Sequence, residues 1–148
     1  DRIEANYPDG VEYLGGSDIE AGTTCLDVSK HVIGVGRGLG EEENTHLVDK
    51  LAAMLDAEVG CTRPVAEEEG WYAKDRYIGI SGLILSPDFY LAIGISGQVQ
   101  HMVGVNQSKA IFAIDKNANA PIFRQCDYGL VGDVSAVLPA LIDALEQC

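Results

Sequence analysis

The feature that most constrains this chain is a set of short apolar runs that do not alternate with polar residues. His31-Val32-Ile33-Gly34-Val35 and Phe89 to Ile95 each carry an almost unbroken apolar core and then break into glycine turns. A strand with one face in water alternates, whereas a near-continuous run of this length marks a strand buried on both faces. Ala57 to Cys61, Lys109 to Ile114 and Tyr128 to Val131 read the same way, and Tyr77 to Leu85 is a further apolar stretch interrupted by Gly79 and Gly82.

Helical patterns lie between these runs. Leu47, Val48, Leu51, Met54 and Leu55 form one stripe of a helix over Glu42 to Leu55, whose acidic start suits the positive end of the helix. Gln98 to Val103 begins another helix. Val134, Val137, Leu138, Leu141, Ile142 and Leu145 form a closing one, with Pro139 near its first turns. Buried strands interleaved with helices predict an α/β fold, a three-layer Rossmann-like domain with a mostly parallel sheet and helices on both faces. Residues 1–30 show no sustained period and read as a leader or interdomain connector, so the domain is expected over 31–148. A start at Asp1 rather than Met suggests a processed or excised piece.

Composition narrows the function. The 148 residues and 47% hydrophobic content suffice for one full core. A formal net charge of -13, from 10 basic and 23 acidic residues, disfavours nucleic acid and anionic membrane as partners. An anionic cofactor would need a local nest of amides or arginines against that field. Cys25, Cys61, Cys126 and Cys148 are widely spaced and share no ligand pattern with His31, His46 or His101, which argues against zinc. Free thiols and the lack of a signal peptide or membrane-length apolar run point to a cytoplasmic location.

Ligands of parallel sheets bind beyond the carboxyl ends of the strands. The expected strand ends deliver Gly36-Arg37-Gly38, Thr62-Arg63, Ser81-Gly82, Ser96-Gly97 with Gln100-His101, Asp115-Lys116 and Asp133. Glycine, hydroxyl, guanidinium and carboxylate groups on one edge suit phosphates and a ribose. Ser96-Gly97 at a strand-to-helix junction favours a pyrophosphate. Asp133 suits a helix cap, a ribose acceptor, or both. Ser81, His101 and Asp115 make a nucleophile-base-carboxylate set on paper, but no GxSxG elbow surrounds Ser81.

The segment Leu91-Ala92-Ile93-Gly94-Ile95-Ser96-Gly97-Gln98-Val99-Gln100-His101 resembles the most characteristic motif of electron transfer flavoprotein alpha subunits. Ala118 to Phe123 followed by Asp127 to Asp133 is similar to their second signature, and Gly36-Arg37-Gly38-Leu39 and Thr62-Arg63-Pro64 fit in order. The resemblance covers His31 to the C-terminus and implies the C-terminal FAD-binding domain of such a subunit. It implies Arg37 near the phosphates and Thr62 and Arg63 at the isoalloxazine. It implies Ile78, Gly79, Ile80 and Ser81 along the flavin, with the Ser81 hydroxyl at N5. Ser96, Gly97, Gln98, Val99, Gln100 and His101 would hold the ribityl chain, pyrophosphate and pyrimidine end. Asp115, Asp133 and Val134 would lie at the adenosine. A cation above the ring and a donor at its pyrimidine end would stabilise the charge that develops on reduction.

The resemblance further implies an electron carrier rather than an enzyme, paired with a beta subunit and serving an acyl-CoA dehydrogenase or similar redox partner. Ile80-Ser81 stands where many members have Gln-Thr, Asp115 where many have Asn, and Val35 where they have glycine; the acidic Glu67 to Glu69 loop is one residue longer. These variants resemble the branch linked to anaerobic carnitine reduction and nitrogen fixation. An NAD-dependent enzyme on a related fold, with His101 as base, is the alternative, and the absence of paired CxxC motifs counts against it.

Overall fold

A computed structural model describes residues 25–148; residues 1–24, most of the expected leader, lie outside the described residues. The described chain forms five strands: β1 (His31–Val35), β2 (Glu58–Cys61), β3 (Phe89–Ile93), β4 (Ala110–Asp115) and β5 (Tyr128–Val131). The helices are α1 (Thr45–Leu55), α2 (Val99–Met102) and α3 (Val134–Glu146). All four strand pairings are parallel, in the order β2-β1-β3-β4-β5. The chain leaves β1 for one side of the sheet and returns to the other at β3. The carboxyl ends of β1 and β3 therefore flank the switch point where parallel sheets open a crevice.

Strands β1 to β4 are largely buried on both faces, as their composition predicts. Ile33, Val35, Leu91, Ile93 and Ile114 pack with Val48 and Leu51 of α1 and Leu138 and Ile142 of α3. Val32, Tyr90, Ala92, Ile111 and Ala113 point the other way, onto Ile78, Leu85, Met102, Val105 and Ile122. Each aliphatic side chain so buried contributes roughly 1.5–3 kcal/mol. The second face is covered by the short α2, a 3-10 turn at Pro121–Arg124 and irregular chain. Gly34 has a specific purpose here: a Cβ on it would lie 1.8 Å from the Tyr90 hydroxyl, so the glycine makes room for a buried tyrosine.

Several sequence expectations shift. The expected helix over 42–55 divides into a 3-10 turn, Glu42–Asn44, and α1, and Met54 of its stripe is 37% exposed. Tyr77 to Leu85 adds no strand to the sheet and makes only isolated bridges, Cys61 with Tyr77 and Ile78 with Leu83. Gly79, at φ 148°, turns the chain, and the backbone bonds locally and to α2: Gly82 N–H to Gly79 O, Ile80 N–H to Gln100 O. β3 stops at Ile93 because Gly94 takes φ 62°. The helix expected over Gln98 to Val103 is a four-residue turn. β5 is an exposed edge, with Tyr128, Leu130 and Val131 open to solvent, although its composition reads like that of the buried strands.

Candidate functional site

The floor of the site is built from backbone. Gly36 N–H donates to Ile93 O and Gly38 N–H to Gly94 O, each at 2.9 Å, so the ends of β1 and β3 lie against each other. A Cβ on Gly94 would come 2.4 Å from the Gly38 carbonyl carbon, and one on Gly36 would come 2.2 Å from Gly94 O. Only glycines allow this approach. Above the floor opens a cleft of about 640 Å³. It crosses the carboxyl ends of β2, β1, β3 and β4. Three inter-strand gaps span roughly 14 Å, which suits an elongated ligand better than a single ring.

The cleft collects Arg37, Thr62, Arg63, Ile78, Ile80, Ser81, Ser96, Gln98, Gln100, His101 and Asp115 from the sequence-predicted residues. Gly79, Gly97, Val99, Asp133 and Val134 do not line it. Gly97 shapes the turn at φ 85°, and Val99 is 71% exposed. Val134 is buried in the helix-side core. Asp133 caps α3, its carboxylate accepting from Ser135 N–H at 2.9 Å. The hydrogen bonds from the Ser135 hydroxyl and then its N–H hold the Asp133 carboxyl below the usual carboxylate range.

The cleft is also lined by Gly36, Gly38 and Lys116, which the sequence placed at this edge without a ligand role, and by Pro64, Tyr77, Gly94 and Ile95, which it did not place there. Gly94 and Ile95 read as buried strand because the apolar run continues through them. Tyr77 had no periodic signal, since its segment is irregular.

His101 sits deep, 7% exposed. One ring nitrogen, Nδ1, is 3.1 Å from Ile78 O, and the other, Nε2, is 2.8 Å from the Tyr90 hydroxyl. A carbonyl only accepts, so Nδ1 carries the proton and Nε2 accepts from Tyr90. Burial pushes the His101 pKa down to about 4, so the ring is neutral. With both nitrogens engaged, His101 has no free base for a hydrolytic set with Ser81 and Asp115, and it ties the Ile78 loop to α2. The Ser81 hydroxyl lies 2.6 Å from the Tyr77 hydroxyl. Asp115 accepts from Asn117 N–H at 2.8 Å, closing a turn that keeps its carboxylate at the far end of the cleft.

The electrostatics differ from those of the chain as a whole. Arg37, Arg63 and Lys116 line the cleft of a chain with net charge -13. Among the described hydrogen bonds, the N–H groups of Ser96, Gly97 and Gln98 donate to no group of the protein. Consecutive amides without a protein acceptor are the donors that an anion nest uses. The dipole expected behind them is slight, because α2 is a single turn. Pro64, Tyr77, Ile78, Ile80 and Ile95 give the cleft an apolar wall. The Cys61 thiol at the end of β2 is buried, which pushes its pKa up to about 12, so it is inert packing. All four cysteines are free.

Residues 25–106 match the electron transfer flavoprotein FAD-binding domain family. A relative from Escherichia coli K12, YdiR, named as an electron transfer flavoprotein subunit, is 55% identical over 127 residues, covering 86% of this chain and 41% of its own length. Protein FixB from Escherichia coli O139:H28 is 54% identical over 128 residues with the same coverage, and protein FixB from Escherichia coli O9:H4 is 53% identical over 128. The chain thus spans about two fifths of the length of these relatives. A glycine-floored cleft with cations, an amide nest and an apolar wall accords with that match, and the chain belongs to the electron transfer flavoprotein FAD-binding domain family.

Proposed function

We propose that the domain, over residues 31–148, holds FAD across the ends of β2, β1, β3 and β4 and serves as the C-terminal part of an electron transfer flavoprotein alpha subunit. The observation that carries this reading is the cleft itself: an apolar wall at one end, an amide nest with Arg37 in the middle and Asp115 at the far end. An isoalloxazine, a pyrophosphate and a ribose need those three surroundings in that order. When bound, FAD supplies the redox chemistry, accepting and releasing electrons at its ring.

The residues of the chain do the rest. Arg37 and the Ser96-Gly97-Gln98 amides bind phosphate. Arg63 and Thr62 stand beside the ring, and Ile78 and Ile80 exclude water from it. The Ser81 hydroxyl, 2.6 Å from that of Tyr77, would donate to N5 when Tyr77 is the donor of the pair. The neutral, fully bonded ring of His101 leaves the pyrimidine end to Gln98 and Gln100, and His101 acts as the pin that holds their turn. Arg63 cannot lose its proton and stabilises negative charge as it develops on reduction. The protein works as an electron carrier with a beta subunit and an acyl-CoA dehydrogenase or similar redox partner, in the cytoplasm. No helix among the described residues is long and apolar enough to cross a membrane.

The test is to express the full-length native chain with its beta subunit, desalt it and record the visible spectrum. Flavin bands that persist support the reading; stoichiometric NAD with no flavin overturns it. Arg63→Ala is expected to lower the flavin potential, and an unchanged potential would remove Arg63 from the ring.

A further inference from the structure

Both guanidinium groups of the cleft take their counter-ions from one turn. The π-helical turn Val65–Glu69 follows Pro64 directly and ends at Gly70, whose φ of 69° lets its N–H return to Val65 O. Arg63 Nε–H donates to Glu67 Oε2 at 2.7 Å, and an Arg37 Nη donates to Glu68 Oε2 at 3.3 Å. Val65 and Ala66 are buried in the helix-side core, so the turn is anchored immediately before its acidic residues. Glu69 of the same turn makes no ion pair among the described residues.

An exposed ion pair contributes little to folding. Its geometry nonetheless has consequences for whatever shares the cleft. With Nε occupied, the four Nη N–H donors of Arg63 remain, and the plane of the guanidinium is set by Glu67. The carboxylate also brings a negative charge within a few ångströms of the cation at the flavin end of the cleft. A field of that kind acts most strongly where a ligand excludes water.

We propose that Glu67 is the positioning and charge-tuning residue of Arg63, and that it sets the potential of the bound flavin below the value a bare Arg63 would give. This rests on the reading that FAD occupies the cleft. Glu68 does the same for Arg37 at the phosphates, where it weakens the grip on the ligand rather than altering its electronics.

The experiment compares E67Q, E67D and E69Q in the full-length native protein with its beta subunit and FAD. The readouts are the flavin midpoint potential by dye equilibration and FAD affinity by fluorescence quenching. E67Q is expected to shift the potential to more positive values while retaining flavin. E67D keeps the charge and is expected to return most of the way to wild type. E69Q, which removes the same charge from the same turn without touching an arginine, is expected to shift it less. Equal potentials in E67Q and E69Q, with flavin bound in both, overturn the assignment of Glu67 alone. A wild-type protein that retains no flavin overturns the underlying reading as well.

Discussion

The floor and the rim of the cleft are built on opposite principles. The floor is backbone against backbone, Gly36 and Gly38 on Gly94, backed by the buried Tyr90–His101–Ile78 chain of hydrogen bonds. Nothing there moves without a steric or desolvation cost. The rim is a set of exposed ion pairs, Arg63–Glu67 and Arg37–Glu68, whose partners exchange easily with solvent or ligand. The difference implies a division of labour. The floor fixes where a ligand lies, and the rim sets what charge it meets. Changes to the floor should therefore register in stability, and changes to the rim in ligand properties.

The largest effect is expected at Gly94. A Gly94→Ala side chain would stand 2.4 Å from the Gly38 carbonyl carbon, on a residue with φ 62°. The left-handed backbone alone costs an alanine about 1 kcal/mol or more, and the backbone clash adds to it. A loss above about 3 kcal/mol in denaturant unfolding is expected. A loss below about 1 kcal/mol would show that the floor yields, and the contrast with the rim would fail.

Acid comes next. His101 is held near pKa 4 when folded, against an ordinary value of 6.5. The unfolded chain therefore binds the proton first. Stability attributable to the neutral ring is fully present above about pH 6.5 and declines as the pH falls toward 4, below which it levels off. The full decline is worth about 3 kcal/mol. His101→Gln should flatten that part of the pH profile, and an unchanged slope would mean that another group titrates there.

Tyr90→Phe deletes the donor to Nε2 and leaves a buried acceptor unsatisfied, at a cost of about 1–3 kcal/mol. It should also move the His101 ring resonances in an NMR spectrum, which a mere loss of packing volume would not do. Gly34→Ala tests the same contact from below, since its methyl group would strike the Tyr90 hydroxyl.

Much of this was legible in the sequence, for physical reasons. Short continuous apolar runs ending in glycine turns favour strands covered on both sides, which gave β1 and β3 and the α/β class. Strand ends then gave Arg37, Thr62, Arg63, Ser96 and Asp115 to one edge. The partners of His101 were not legible, because Tyr90 lies 11 and Ile78 lies 23 residues away and no period links them. Tyr77 to Leu85 misled for a related reason. Only Ile78 and Leu85 of it are buried while Ile80 and Ile84 are exposed, and Gly79 and Gly82 let the chain turn against α2 instead of entering the sheet. β5 misled because composition does not say which strand ends a sheet. Asp133 offered two readings, and the structure gives it a cap whose contribution fades as acid protonates it from below its usual range.

The smallest stability effect is expected at the rim, and it is the sharpest test of the contrast. Glu68→Gln breaks an exposed pair at 3.3 Å with both side chains more than half open to solvent. Screening and side-chain entropy should keep the change in unfolding free energy below about 0.5 kcal/mol. The same substitution frees Arg37 for a phosphate, so FAD affinity at low salt should rise while stability stays put. The gain should shrink as salt is added, since an exposed charge is screened within about 10 Å at 0.1 M. If Glu68→Gln destabilised the domain as much as Tyr90→Phe, the acidic turn would be part of the floor, and its charges would serve folding instead of the ligand.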